Sequence, residues 1–116
     1  MIIKKSLEHN IDINATDMEL NTVFHLACMK SYTGIAKLLI EKSNELNIDL
    51  NAKNKEGQTG FHISCYQGYD GHLEIVKMLI QKSDEIKLEL NAKDKAGHTA
   101  FHLACKDGAI GLAYSR

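Results

Sequence analysis

The amino-acid sequence predicts a mainly helical solenoid: paired antiparallel helices stacked side by side, with β-hairpin or turn fingers projecting between them. Three observations predict it. The pattern Thr-x-Phe-His-x-x-Cys occurs three times, as Thr22–Cys28, Thr59–Cys65 and Thr99–Cys105. Its copies are widely spaced: 37 residues separate Phe24 from Phe61 and 40 separate Phe61 from Phe101. Each copy is also flanked by the same kinds of segment in the same order. Self-similarity at this period marks supersecondary units that bury their apolar faces against one another rather than in one central core.

The elements follow in chain order. Residues 11–15, 48–52 and 88–92 read Ile-Asp-Ile-Asn-Ala, Ile-Asp-Leu-Asn-Ala and Leu-Glu-Leu-Asn-Ala. A polar turn follows each, and Gly57 and Gly97 are free there to take a positive φ. Leu20 stands in their place in the first turn, so either that turn is remodelled or Leu20 is exposed. Each threonine is a good N-cap, its oxygen accepting an otherwise orphan amide hydrogen. The helix after Thr59 packs Phe61, Ile63, Ser64 and Cys65 inward. A second helix, from His72 to about Lys82, carries Leu73, Val76, Leu79 and Ile80 at helical spacing. Tyr69-Asp70-Gly71 reads as an insertion between the two helices of the second unit. Ser43–Asn51 and Ser83–Asn91 lengthen the exits from the second helices. Matching Ser6 to Ser43 makes residues 1–10 the second helix of a partial unit. Residues 11–47 and 48–87 are then full units and 88–116 an incomplete one, so the array is expected to be truncated at both ends.

This pattern resembles the ankyrin repeat, a unit of about 33 residues with a β-turn, two helices and a Thr-Pro-Leu-His-x-Ala signature. Asp12-Ile13-Asn14-Ala15, Asp49-Leu50-Asn51-Ala52 and Gly71-His72-Leu73-Glu74-Ile75-Val76-Lys77 carry the resemblance. The chain departs from the signature by placing Val23, Gly60 and Ala100 where the proline stands, which forfeits a preset φ at the helix start. It also has Phe for Leu and Cys for the second Ala. The resemblance implies a structural His and an Asn that orders the finger by hydrogen bonding. That Asn, here Asn14, Asn51 and Asn91, is in some members a substrate of asparaginyl hydroxylation. It also implies a concave binding surface made of fingertips and the exposed ends of the first helices. On this chain those positions are Met18, Glu19, Leu20, Asn21, Lys53, Lys55, Gln58, Lys93, Lys95 and His98 on the fingers. On or beside the helix ends they are Met29, Lys30, Tyr66, Gln67, Tyr69 and Lys106. Tyr66 is the strongest anchor candidate, because aromatic residues are enriched at interface hot spots.

Composition narrows the function classes. A net charge of −1 gives no global attraction to nucleic acid or anionic membrane. No apolar run approaches the roughly 18 residues of a membrane span. Three cysteines at equivalent positions argue against a disulfide framework and for a reducing compartment, cytoplasmic or nuclear. His25/Cys28, His62/Cys65 and His102/Cys105 share helix faces. Each pair offers only two of the three or four ligands zinc takes, and neighbouring helices lie about 8–10 Å apart. The triads of Thr22, Thr59 and Thr99 with these residues therefore read as fastenings, with no metal and no cofactor. A nucleophilic thiol needs one activated, exposed copy, and three equivalent copies expected to be buried are the opposite arrangement. Lys53, Lys55, Lys93 and Lys95 form a basic stripe on neighbouring fingers, diluted by Glu19, Glu56 and Asp94. The expected function is non-catalytic protein–protein interaction. The rival readings are a structural spacer within a longer array and an accessory domain of a multidomain enzyme or channel. Apolar terminal units would also permit end-to-end self-association.

Overall fold

The computed structural model describes residues 12–67 and 70–106. The expectations placed on residues 1–11, on Gly68 and Tyr69 and on 107–116 lie outside the described residues. Among the described residues six helices occur in order: α1 Val23–Lys30, α2 Thr33–Glu41, α3 Ser43–Leu46, α4 Gly60–Gln67, α5 Asp70–Gln81 and α6 Ala100–Lys106. The first helices α1, α4 and α6 stack in one layer, and α2 and α5 stack in a second layer behind it. The core runs between the layers through Phe24, Cys28, Leu39, Ile40, Phe61, Cys65, Ile75 and Leu79. Fully burying one such Phe, Leu or Ile contributes about 1.5–3 kcal/mol.

Each first helix starts in the same way. The Thr22 hydroxyl accepts from the His25 amide at 3.3 Å, while His25 Nδ1 accepts from the Thr22 amide at 3.0 Å. Thr59 with His62 and Thr99 with His102 repeat the exchange. This is a capping box with His in the place usually held by Glu or Gln. The ring's other nitrogen points onward. His25 Nε2 donates to the Gln58 carbonyl at 2.8 Å, and His62 Nε2 to the His98 carbonyl at 3.0 Å. One imidazole thus caps its own helix and fastens the next finger.

Three expectations change. Asp70 and Gly71 are not a loop between helices; they form the first turn of α5, which has 12 residues against 9 in α2. That added turn reaches back to the end of α1. A Cβ on Gly71 would lie 1.9 Å from Ser31 Oγ, and His72 Nε2 donates to the Met29 carbonyl at 3.4 Å. Ile80 is half-exposed, whereas its counterpart Ile40 is buried, and Ile75 lies in the core. The cysteines are not all buried: Cys28 and Cys65 are, and Cys105 is exposed because no described residue stacks beyond α6. Phe101 shows the same end effect, at 45% exposure against 1% for Phe24 and Phe61.

The exits of the second helices close alike. Asn47 and Lys87 take left-handed φ values of 55° and 53°. The Ile48 and Leu88 amides then return to the Ser43 and Ser83 carbonyls at 2.8 and 2.9 Å. Asn14 and Asn51 lace these exits together. Asn14 Nδ2 donates to the Asn47 carbonyl and its Oδ1 accepts from the Asp49 amide. Asn51 does the same with Lys87 and Glu89, all four bonds spanning 2.8–3.0 Å. Gly60 fits because the Phe24 ring lies where a Cβ would be, 2.4 Å away.

Candidate binding cleft

The three fingers are built by one device. Asp17 Oδ1 accepts from the Glu19 and Asn21 amides. Asn54 Oδ1 accepts from Glu56 and Gln58, and Asp94 Oδ1 from Ala96 and His98. Such Asx bonds let a short side chain organise its own turn. The amide of Asn21 is foremost in holding the Asp17 carboxyl below its usual value. At Asp94 burial works to raise the carboxyl, and the amides of His98 and Ala96, with the His98 ring beside them, outweigh it.

Leu20, Gly57 and Gly97 all close their turns with positive φ, at 63°, 75° and 85°. The first turn is therefore not remodelled; Leu20 accepts the left-handed conformation and stays exposed. Its amide donates to the Asp17 carbonyl at 2.9 Å, as Gly57 and Gly97 donate to Asn54 and Asp94.

Successive fingers are tied edge to edge. The Lys55 amide donates to the Glu19 carbonyl and the Lys95 amide to the Glu56 carbonyl, each at 3.0 Å. Side chains add to this: Asn54 Nδ2 donates to Asn21 Oδ1 at 3.1 Å, and Lys53 Nζ to the Lys93 carbonyl at 3.0 Å. No described residue is in a strand, so the fingers form a ribbon of turns.

Between this ribbon and the first-helix layer lies a cleft of about 780 Å³. Its apolar floor is Met29 of α1, Ile63 of α4 and Leu103 of α6, and Tyr66 of α4 lines it as well. Its finger side carries Glu19, Asn21, Asn54, Lys55, Glu56, Gln58, Asp94, Lys95, Ala96 and His98. Tyr66 stands 46% exposed over this floor.

The sequence-derived surface is thus divided. Glu19, Asn21, Met29, Lys55, Gln58, Tyr66, Gln67, Lys95 and His98 come together in the cleft. Met18, Leu20, Lys30, Lys53 and Lys93 are exposed but do not line it. Lys106 is placed by its backbone only, and Tyr69 lies outside the described residues. Asn21, expected as an exposed contact, is 8% exposed and spends its side chain on Asn54 and Asp17. Of the four lysines, Lys55 and Lys95 line the cleft and Lys53 and Lys93 do not. Ile63, Leu103, Asn54 and Asp94 were missed. Glu56 and Ala96, expected fingertip residues in the register of Glu19, also line the cleft.

The His and Cys residues of the thrice-repeated motif sit apart from this surface. Burial lowers the affinity of His25 and His62 for a proton, against the pull of the Gln58 and His98 carbonyls that their Nε2 atoms face. Burial also pushes the Cys28 and Cys65 thiols up to about 12, so neither is poised as a thiolate. Among the described residues no group of three or more His, Cys, Asp or Glu could hold a metal ion.

A family model described as ankyrin repeats (3 copies) matches residues 1–90 and 45–113. The chain belongs to the ankyrin-repeat family. No curated protein matches it. Ankyrin repeats generally act as protein–protein interaction modules, and the family is typically non-catalytic. In this ankyrin-repeat chain, Thr22, Thr59 and Thr99 and the His after each serve the caps, His25 and His62 also make the inter-repeat bonds, and Cys28 and Cys65 fill the core. No helix among the described residues is long and apolar enough to cross a membrane.

Proposed function

We propose that this chain is a non-catalytic recognition module that binds a protein partner in the cleft between its fingers and its first helices. The observation that carries this reading is the exposed Tyr66 ring above an apolar floor shared by three successive repeats. Fingers fastened by backbone and side-chain bonds lose little freedom on binding, which favours affinity. The unpaired thiols of Cys28, Cys65 and Cys105 suit a reducing compartment, the cytosol or nucleus.

The test compares proteins retained from lysate by the immobilised wild-type chain, by Tyr66→Ala and by Lys77→Ala on the exposed face of α5. A partner held by the wild type and Lys77→Ala, and depleted at least about tenfold by a folded Tyr66→Ala chain, supports the reading. A partner set insensitive to Tyr66 and lost with Lys77→Ala would place the interface on the other face.

A further inference from the structure

The two ends of the described stack are open in complementary ways. Ile35 of α2 is 44% exposed, whereas Ile75, at the same register of α5, is 0% exposed. Ile80 of α5 is 40% exposed against 1% for its counterpart Ile40. Among the described residues, α2 has no helix before it in its layer and α5 has none after it. The first layer repeats the contrast. Leu26 of α1 and Phe101 of α6 are half-exposed, whereas Ile63 and Phe61, their counterparts in α4, are buried. The polar groups agree. The Lys55 and Lys95 amides each donate to the finger before them, and the Met18 amide, in their register, has no such bond among the described residues. Nor does the Ala96 carbonyl, in the register of Glu19 and Glu56, accept one there. His102 Nε2 likewise lacks the finger carbonyl that His25 and His62 find at Gln58 and His98.

We propose that the chain associates head to tail with a second copy of itself, the α5–α6 end of one copy receiving the α1–α2 end of the next. The joints inside the chain identify the occupant. The first helix and finger of the next unit meet each interior copy of these groups, and the first unit of a second copy offers the same pattern. Phe101 and Ile80 then bury against Val23, Leu26 and Ile35. Val23 stands in the register of Gly60, so the Phe101 ring meets its methyl groups instead of the open slot that Gly60 leaves for Phe24. The Ala96 carbonyl accepts from the Met18 amide, and His102 Nε2 donates to the carbonyl of Asn21, the counterpart of Gln58. The joint pairs unlike surfaces, so each added copy presents a free end to another. The ribbon of fingers continues across it. The inference does not depend on what the cleft binds.

Analytical ultracentrifugation of the 116-residue chain tests this, with a reductant present so that the exposed Cys105 cannot cross-link copies. The average mass of the wild type should rise with concentration and pass that of a dimer. Phe101→Asp blocks one end and Ile35→Asp the other, both at exposed positions. Each variant alone should associate at least about tenfold more weakly, because a charge is forced into an apolar contact. Mixed, the two should form a one-to-one heterodimer and nothing larger, since each keeps the end that the other needs. If thermal unfolding shows that Phe101→Asp has lost its fold, Ile80→Lys blocks the same end. A wild-type chain that stays monomeric up to its solubility limit would overturn the proposal. Association lost in only one of the two variants would reveal a like-to-like contact, and association kept in both would put the contact elsewhere. Either result would overturn the head-to-tail joint.

Discussion

Ser64 shows how a single atom departs from the repeat. Ala27 and Ala104 occupy its register in the other first helices, and all three side chains are buried. Ser64 Oγ has the Cys28 thiol as its polar neighbour and no oxygen or nitrogen partner. A buried hydroxyl without a good partner is costly, so Ser64→Ala should raise stability by about 1 kcal/mol in urea unfolding. A loss of stability would show that the thiol contact satisfies the hydroxyl. At this scale the sequence was partly legible. A Thr and a His three residues apart, thrice repeated, announced a fastening. Whether the ring served its own helix or the next repeat was open, and it serves both, because its two nitrogens point in opposite directions. Leu20 was legible as an anomaly, but only the backbone shows that it accepts positive φ.

At the scale of elements, connections between repeats matter more than helix propensity. α1, α4 and α6 have at most 8 residues, too short to persist alone in water. They are held by caps and by neighbours. Asn51 links one finger to the following helix exit through two bonds. Asn51→Ala should therefore lower stability by about 1–2 kcal/mol, and hydrogen exchange at Glu89 should accelerate. Unchanged protection there would mean that water replaces the side chain without loss. The first-helix starts were legible because cap and apolar period coincide. The start of α5 was not, since Tyr69-Asp70-Gly71 carries turn-forming residues. Packing of Gly71 against Ser31 and the bond from His72 to Met29 extend the helix through Asp70 and Gly71. Gly71 and His72 thus brace α5 on the preceding repeat.

At the scale of the molecule, stability should depend on pH through His25 and His62. Both bind protons less readily folded than unfolded. The unfolded chain therefore takes up more protons as pH falls below its histidine value of about 6.5. Stability present above that value is lost as pH drops through the lowered folded values. Thermal unfolding should shift to lower temperature between pH 7.5 and 5. In His25→Gln/His62→Gln, where Gln can keep the capping box, that dependence should flatten. A wild-type midpoint that rises on acidification would contradict the buried neutral rings. Asp17 and Asp94, whose values are lowered, act in a more acidic window, losing their contribution as pH falls below the ordinary carboxylate range. The solenoid was legible from period alone, but the cleft was not. Its membership depends on which finger residues turn inward, as Asn21 does, and which lie outside the groove, as Lys53 and Lys93 do.

The central claim is that a rigid stack of ankyrin repeats presents this cleft to a partner. The most direct measurement is the dissociation constant of the purified partner for the wild-type and Tyr66→Ala chains, with thermal midpoints recorded for both. Loss of a central aromatic anchor should weaken binding by about thirtyfold or more, near 2 kcal/mol, with the midpoint nearly unchanged because the ring is half-exposed. An unchanged dissociation constant in a folded Tyr66→Ala chain would contradict the account.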